Sequence, residues 1–381
     1  MYPSNFWNQS PKKSHIELWV YTNQTALKSI LMITAHPFWR EHNGCNNRIT
    51  ALVDFLKDFT NLTILYAGSG MSEDRVLMQG LGLKLEYLEE RSRLSREDYL
   101  IRLADFFIDR HFDFCIVEFL TLAFIRKFIP PNIKTLLDTH DVMSSKKKSF
   151  ERFGYTFEQI DATKEIKAFM QFDKVMLIQE EEYDKVARII GSNKALLVPH
   201  PVSGHNMVGI RKKSQAIGFI GASNVPNVDS LKWFLDHVFP KIPKSITLNI
   251  YGKVCDNVKG YTANNLSFHG YVKEVEPIYA SNDLFINPVR IGAGLKIKNI
   301  EALGFGVPLI TTSHGASGLQ SEAGKSFFIA DSAQEFIDGI NVLVRNYETR
   351  KAMGSRAHTF IKERFNRSSC FASLKTYLLQ Y

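Results

Sequence analysis

The sequence predicts an α/β protein built from two doubly wound, Rossmann-like domains that face each other across a cleft. Three observations carry that expectation. Short apolar runs alternate with amphipathic helical stretches, the pattern of βαβ units on parallel sheets. The alternation stops once, in PHPVSGHNMVGIRKKSQ (199–215), where turn and basic residues replace periodicity, and then restarts. The 381 residues also exceed one ordinary core, so two domains of roughly 150–200 residues follow. The expected boundaries are 1–200 and 201–381, with the last helix crossing back to the first domain. Residues 1–28 form an added segment with no assigned role.

The elements follow in order. ILMITA (30–35) reads as a strand, NNRITALVDFLKDF (46–59) as a helix and LTILYAG (62–68) as a strand. A helix over 95–109 precedes the strand FDFCIVEF (112–119); TLAFIRKFI is helical and IKTLLDTH (133–140) is a strand. A helix over 158–171, the strand DKVMLIQ (173–179), the helix EEEYDKVARII and the strand KALLVPHPV (194–202) complete the first half. The second half opens on the strand AIGFIG (216–221), then the helix VDSLKWFLDHVFPKI and the strand SITLNIYG (245–252). DLFINP (283–288) is a strand, LKIKNIEALGF a helix and VPLITT (307–312) a strand, before helices over 332–345 and 347–364.

Composition narrows the function classes. Hydrophobic residues make up 45% and charged residues 23%, as in a soluble globular enzyme. No apolar run reaches the roughly 20 residues that span a bilayer. The opening MYPSNFWNQSPKKSHIELW lacks a signal-peptide apolar core, so a cytoplasmic protein is expected. Cys45, Cys115, Cys255 and Cys370 lie far apart, which reads as reduced structural thiols. The net charge of +8 favours anionic ligands or surfaces.

One stretch concentrates chemistry: INPVRIGAGLKIKNIEALGFGVPLITT, 286–312. A strand, a Gly-rich turn and a helix from about Leu295 make an anion site, because free N–H groups and the helix dipole point at the turn. Gly292 and Gly294 let the backbone approach an oxyanion. Lys296 and Arg290 add positive charge. Glu301 lies seven residues past Gly294, roughly 10 Å along a helix, within reach of a ribose diol. A surface glutamate paired with Lys298 is the plainer alternative.

The segment Phe285 to Leu319 closely resembles the nucleotide-sugar site of family 4 glycosyltransferases, which have the GT-B fold. GFIGASNVPNVDSLKWF (218–234) resembles the opening of that family's donor domain, KALLVPHPV its domain-closing strand, and LLDTHDVMS (136–144) an acceptor-domain strand ending in a cleft histidine. The resemblance implies a retaining transfer from a nucleoside diphosphate sugar to a hydroxyl acceptor, the leaving phosphate helping to deprotonate that hydroxyl. By the same resemblance Glu301 binds the ribose, and the backbone from Gly292 through Ala293 and Gly294 to Leu295 holds the diphosphate. Gly221 belongs to the first donor-domain loop, His140 sits near the donor sugar, and Gly44 of REHNGCNNR lies under the phosphates or acceptor. Two departures stand out. The family has a second glutamate eight positions before the first-named one, where this chain has Ala293. The loop GASNVPN also lacks the family's Arg and Lys, a charge assigned here to Lys296 and Arg290.

The remaining candidates keep two readings each. His140 with Asp141 is either a base or sugar-binding pair, or a strand-end histidine beside a capping aspartate. His314 is a nucleotide-pocket or plain loop residue, and Glu118 a cleft or capping residue. No HExxH, DxD or paired Cys/His spacing occurs, so no metal is expected, and no cofactor beyond the donor. Lys146, Lys147 and Lys148, with Lys164 and Lys167 and the aromatics Phe150, Phe153 and Tyr155, suggest peripheral contact with anionic lipid or a phosphorylated acceptor, or a solvated loop. No nucleic-acid-binding pattern stands out. The expected partners are a nucleotide-sugar donor and a glycan, lipid-linked or protein acceptor. The rivals are a transferase-like binding subunit without catalysis and a GT-B sugar-nucleotide epimerase.

Overall fold

A computed structural model describes residues 27–40, 44–68, 72–88, 95–157, 161–202 and 206–380. The expected N-terminal segment therefore lies almost wholly outside the described residues. The first sheet comprises β1 (Lys28–Thr34), β2 (Thr60–Tyr66), β3 (Lys84–Tyr87), β4 (Phe114–Glu118), β5 (Lys134–Asp138), β6 (Lys174–Leu177) and β7 (Ala195–Leu197). The second comprises β8 (Ala216–Ile220), β9 (Thr247–Tyr251), β10 (Leu266–Gly270), β11 (Leu284–Asn287), β12 (Leu309–Thr311) and β13 (Phe328–Ile329). Their orders are β3-β2-β1-β4-β5-β6-β7 and β10-β9-β8-β11-β12-β13, and every pairing is parallel.

The helices of the first half are α1 (Gly44–Leu56), α2 (Ser72–Gly80), α3 (Arg96–Asp105), α4 (Met143–Arg152), α5 (Ala162–Met170) and α6 (Glu180–Ile190). Those of the second are α7 (Val225–His237), α8 (Glu276–Ala280), α9 (Ile297–Gly304), α10 (Ala333–Arg345), α11 (Tyr347–Arg364), α12 (Arg367–Cys370) and α13 (Ala372–Gln380). Local chemistry sets several starts. Asp161 accepts from the backbone of Thr163 and Lys164 to open α5, Asn224 caps α7 ahead of Pro226, and Ser332 with Glu335 closes a capping box on α10. The central strands are continuous apolar runs because helices cover both faces of a parallel sheet: Ile30, Leu31, Met32 and Ile33 are all fully buried.

Both sheets reverse their order once, between β1 and β4 and between β8 and β11. Carboxyl-end loops diverge at such a point and leave a crevice. Phe119, His140, Gly221 and the turn after Asn287 all follow strand ends at or beside these two points.

The last helices return to the first sheet. The Phe371 ring lies 4.8 Å from Phe55 and Tyr377 lies 5.8 Å from Phe114. Ser373 Oγ donates to the Leu197 carbonyl at 2.5 Å, and Val202 N donates to the Phe365 carbonyl at 2.8 Å. One hydrophobic cluster consequently runs from α1 through these helices to Leu303 and Phe305 of the second half.

The TLAFIRKFI segment is a 3-10 helix, Leu120–Phe128, rather than α. Three strands absent from the sequence reading, β3, β10 and β13, are all edge-side strands of four, five and two residues. Short edge strands are half-solvated and carry little apolar signal.

Candidate functional site

The Gly-rich turn is held from beneath by a polar clip. Asn287 Nδ2 donates to Asn299 Oδ1 at 2.7 Å, and Asn299 Nδ2 donates to Thr311 Oγ1 at 3.2 Å and the Gly315 carbonyl at 2.8 Å. Thr311 Oγ1 returns a bond to the Asn287 carbonyl at 2.8 Å. The clip ties the end of β11, the first turn of α9 and the loop after β12 into one unit. Gly292 and Gly294 have φ of 118° and 71°, backbone that other residues adopt only with strain. The second glycine is also sterically required, since a Cβ there would collide with the Asp141 carboxylate of the first domain.

Three titratable groups of this turn and helix have pKa values pulled toward neutrality. Desolvation lowers Lys298 to about 7, helped by Lys296 and opposed by Glu301. Desolvation lowers Lys296 to about 8 against the pull of Asp141 and Glu182. Burial raises Glu301 above the usual carboxylate range, while Tyr279 and Lys298 act against it. The Tyr279 hydroxyl donates to Glu301 Oε2 at 3.1 Å. Lys296 curls back onto the carbonyls of Ala293 and Gly294 at 3.0 and 2.9 Å. Lys298 crosses to the first turn of α7: its ammonium donates to Asn227 Oδ1 at 2.5 Å, and Asn227 Nδ2 in turn donates to the Ala222 carbonyl in the loop after β8 at 3.1 Å. Lys298 thus places a cation beside Gly221, in the loop that has none of its own.

Arg290 points elsewhere. It pairs with Asp229 at 2.8 Å and lies 5.1 Å from the Trp233 ring and 5.3 Å from that of Phe153. His314 follows β12; burial, then repulsion from Lys296, lowers it to about 4, so its ring is neutral.

The facing wall is a closed set of charges. Arg48 forks onto both oxygens of Asp138 at 2.8 and 2.9 Å, both side chains being buried. His140 Nε2 lies 2.6 Å from Glu118 Oε2 and 4.0 Å from Asp138. Burial works against the His140 cation, but Asp138, Cys45 and Glu118 outweigh it and raise the ring to about 9. The ring is therefore a cation at neutral pH, which suits it to donate rather than to accept a proton. Phe119 is sandwiched between His36 at 4.2 Å and His140 at 3.8 Å. Both Phe119 and His140 hold positive φ, 68° and 57°, the strained backbone that clusters at functional sites. Glu118, Asp138 and His140 present ligand atoms within 4.8 Å of one another, as a metal site would. Their charges are already matched, however, by Arg48 and by the His140 cation, and a divalent ion would have to displace the Arg48 fork.

The two walls touch. Gly292 N donates to Ser149 Oγ at 2.9 Å and Gly294 N to Glu182 Oε1 at 3.3 Å. Tyr155 Oη donates to Asp229 at 3.1 Å, and Ser317 Oγ contacts Gln179 and Glu181 at 2.9 and 2.7 Å. A Cβ on Gly44, at the start of α1, would lie 3.1 Å from Ile297 Cδ1 of α9. The structure thus gathers Gly44, Glu118, His140 and Asp141 on one side and Gly221, Gly292, Ala293, Gly294, Leu295, Lys296, Glu301 and His314 on the other.

The basic run of the first domain also faces this contact. Lys146 pairs with Asp141 at 2.8 Å, Phe150 is buried, Phe153 lies by Arg290 and Tyr155 binds Asp229. Of these aromatics Phe150 is buried and Tyr155 is held by Asp229, whereas Phe153 stays exposed. Among the described residues no helix is long and apolar enough to cross a membrane. Sequence reasoning missed Lys298 as a site residue, along with the Asn287–Asn299–Thr311 clip and Glu182. The polar residues Asn287, Asn299 and Thr311, set amid apolar runs, were the available signal for the clip.

Two facing parallel sheets with a shared cleft define the GT-B fold, and solved structures agree. Anabaena HepE in complex with UDP-glucose superposes with a TM-score of 0.73 at 13% identity, covering 93% of this chain and 100% of that one. TarM superposes at 0.75 and 11% identity, covering 92% and 98%; TarM of S. aureus is also known with fondaparinux, alpha-GlcNAc-glycerol and UDP. Residues 214–346, within the second domain, match the model of the glycosyl transferases group 1 family. The chain is also 26% identical to an uncharacterized 44.6 kDa protein in the cps region of Klebsiella pneumoniae, over 75% of this chain and 77% of that one.

Proposed function

We propose that the protein is a retaining, metal-independent, family 4-like hexosyltransferase. It moves a sugar from a nucleoside diphosphate sugar, with UDP as the first base to test, to a hydroxyl of a growing glycan. The observation that carries this reading is the convergence of the Gly292–Leu295 backbone with Lys298 and Lys296, the Gly292 and Gly294 amides being held by Ser149 and Glu182 until a ligand takes them. Burial lowers both amines, Lys298 further than Lys296, so a bound anion would favour their charged forms. Glu301, further along α9, takes the ribose diol. HepE, bound to UDP-glucose in its own structure, supports the choice of base, and the cps-region relative supports a polysaccharide acceptor.

In this mechanism the bond between the anomeric carbon and the diphosphate oxygen breaks, and its electron pair leaves with the diphosphate. Lys298 and the amides beyond Pro288 stabilise that developing charge. The acceptor oxygen bonds to the same face of the anomeric carbon while its proton passes to a phosphate oxygen. The His140 cation donates toward the sugar, and direct contact of the walls excludes water.

Calorimetry with UDP, GDP and dTDP tests the site. Binding of one of them, weakened in both Glu301→Ala and Lys296→Ala, is the expected result; unchanged affinity in both variants overturns the assignment. Steady release of nucleotide that depends on an acceptor separates a transferase from a binding subunit and from an epimerase.

A further inference from the structure

Glu182 sits at the start of α6, in the first domain, yet its carboxylate reaches the donor turn of the second. Oε1 accepts from Gly294 N at 3.3 Å and from the distant Val142 N at 3.5 Å, and the Gln179 side chain also acts on this carboxylate. Oε2 is buried without a hydrogen-bond partner, on a residue only 2% exposed. An orphaned carboxylate oxygen in such a place is costly until a donor satisfies it. The groups around it narrow the choice of donor. Asp141 adds negative charge to the same pocket, and Lys296 is turned onto its own turn's carbonyls. A phosphate would meet two carboxylates there. A neutral hydroxyl would meet an open acceptor.

The turn itself cannot supply that hydroxyl contact. Ala293, the residue beside the Gly294 amide, has no polar side chain, and Gly294 tolerates none because Asp141 abuts it. The first-domain wall meets this turn directly, through Ser149 at Gly292 and Glu182 at Gly294, so Glu182 stands beside any group hung from a diphosphate here. We infer that Glu182 is the donor-sugar receptor: a first-domain carboxylate that accepts a hydrogen bond from a hydroxyl of the transferred sugar and so discriminates sugar nucleotide from bare nucleoside diphosphate. This rests on the donor-site reading above. It adds that sugar recognition is supplied across the cleft by α6, while the nucleotide is held by the second domain alone.

The experiment compares two affinities in each protein. UDP and UDP-glucose, GDP and GDP-mannose, and dTDP and dTDP-glucose are titrated into wild type, Glu182→Gln and Glu182→Asp. The pair that wild type binds is the one used. Glu182→Gln keeps the shape, and Glu182→Asp keeps the charge but withdraws it. The expected result is at least a tenfold rise in the Kd ratio of sugar nucleotide to nucleoside diphosphate in both variants, about 1.4 kcal/mol. Thermal melting confirms that the variants are folded. A ratio unchanged in both variants overturns the inference and leaves the donor site standing. A wild-type chain that binds none of the nucleotides overturns the donor site and this inference together.

Discussion

On the first-domain wall of the cleft, Arg48, Asp138, Glu118 and His140 are buried and matched charge for charge. On the second-domain wall, Lys296 and Lys298 have been stripped of water without a carboxylate in direct contact, and their pKa values have fallen to about 8 and 7. Burial alone therefore does not say what a charged residue is for. The first set is paired ion to ion, with Glu118 Oε1 and Arg48 Nη1 left over, and holds two strained strand ends, Phe119 and His140, in place. The second is incomplete, and an anion would complete it. The paired charges of the first wall stabilise the fold as well as facing the site, while the second wall keeps a cost in reserve for a ligand.

The sharpest way to break that contrast is at the matched wall. Arg48→Met leaves Asp138 buried and unpaired, so a loss of about 3–5 kcal/mol in unfolding free energy is expected from urea titration. A loss below 1 kcal/mol would show that the fork is not structural. Lys298→Met should do the reverse. Removing a desolvated ammonium is expected to leave the melting temperature unchanged or raised, while the Kd for the bound nucleoside diphosphate rises 10- to 100-fold, the scale of one charged hydrogen bond.

The pH dependence separates the walls further. The folded-state pKa of His140, about 9, lies above the ordinary 6.5. Its stabilisation is therefore fully present below 6.5 and lost as pH rises through 9. Lys298 has the opposite sign: its folded pKa, about 7, lies below the ordinary 10.5, so stability grows from pH 7 toward 10.5. Unfolding curves across pH 6–10 should lose the falling component in His140→Gln and the rising one in Lys298→Met. Nucleotide binding at pH 8 should also take up protons in wild type, and fewer in Lys298→Met, as read from calorimetry in buffers of different ionisation enthalpy. The smallest effect is expected from Tyr279→Phe, which removes one hydrogen bond to Glu301. About 0.5–1.5 kcal/mol of stability and a few-fold change in nucleotide affinity are expected.

The sequence disclosed the walls unequally. Alternating apolar runs gave both sheets and their cleft, since buried parallel strands leave an unmistakable pattern. The glycines, Lys296 and Glu301 stood in one local stretch, so their joint placement could be read without a fold. Side-chain direction could not: Arg290 turns to Asp229, Lys296 onto its own turn, and Lys298, first set down as a surface partner for Glu301, takes the inward place. The matched quartet was harder still, because Arg48 and Asp138 are 90 residues apart and meet only once β1, β4 and β5 are aligned. Glu182 lay hidden within a run of three glutamates that reads as a helix start.

The return of α12 and α13 to the first sheet bears on how the molecule is made. Phe55 of α1 and Phe114 of β4 lie against Phe371 and Tyr377, which follow the whole second sheet along the chain. The leading half therefore waits, with part of its apolar surface uncovered, through the synthesis of the whole trailing half. The first half reaches its final packing only once the helices that follow the second sheet have been made, rather than on its own.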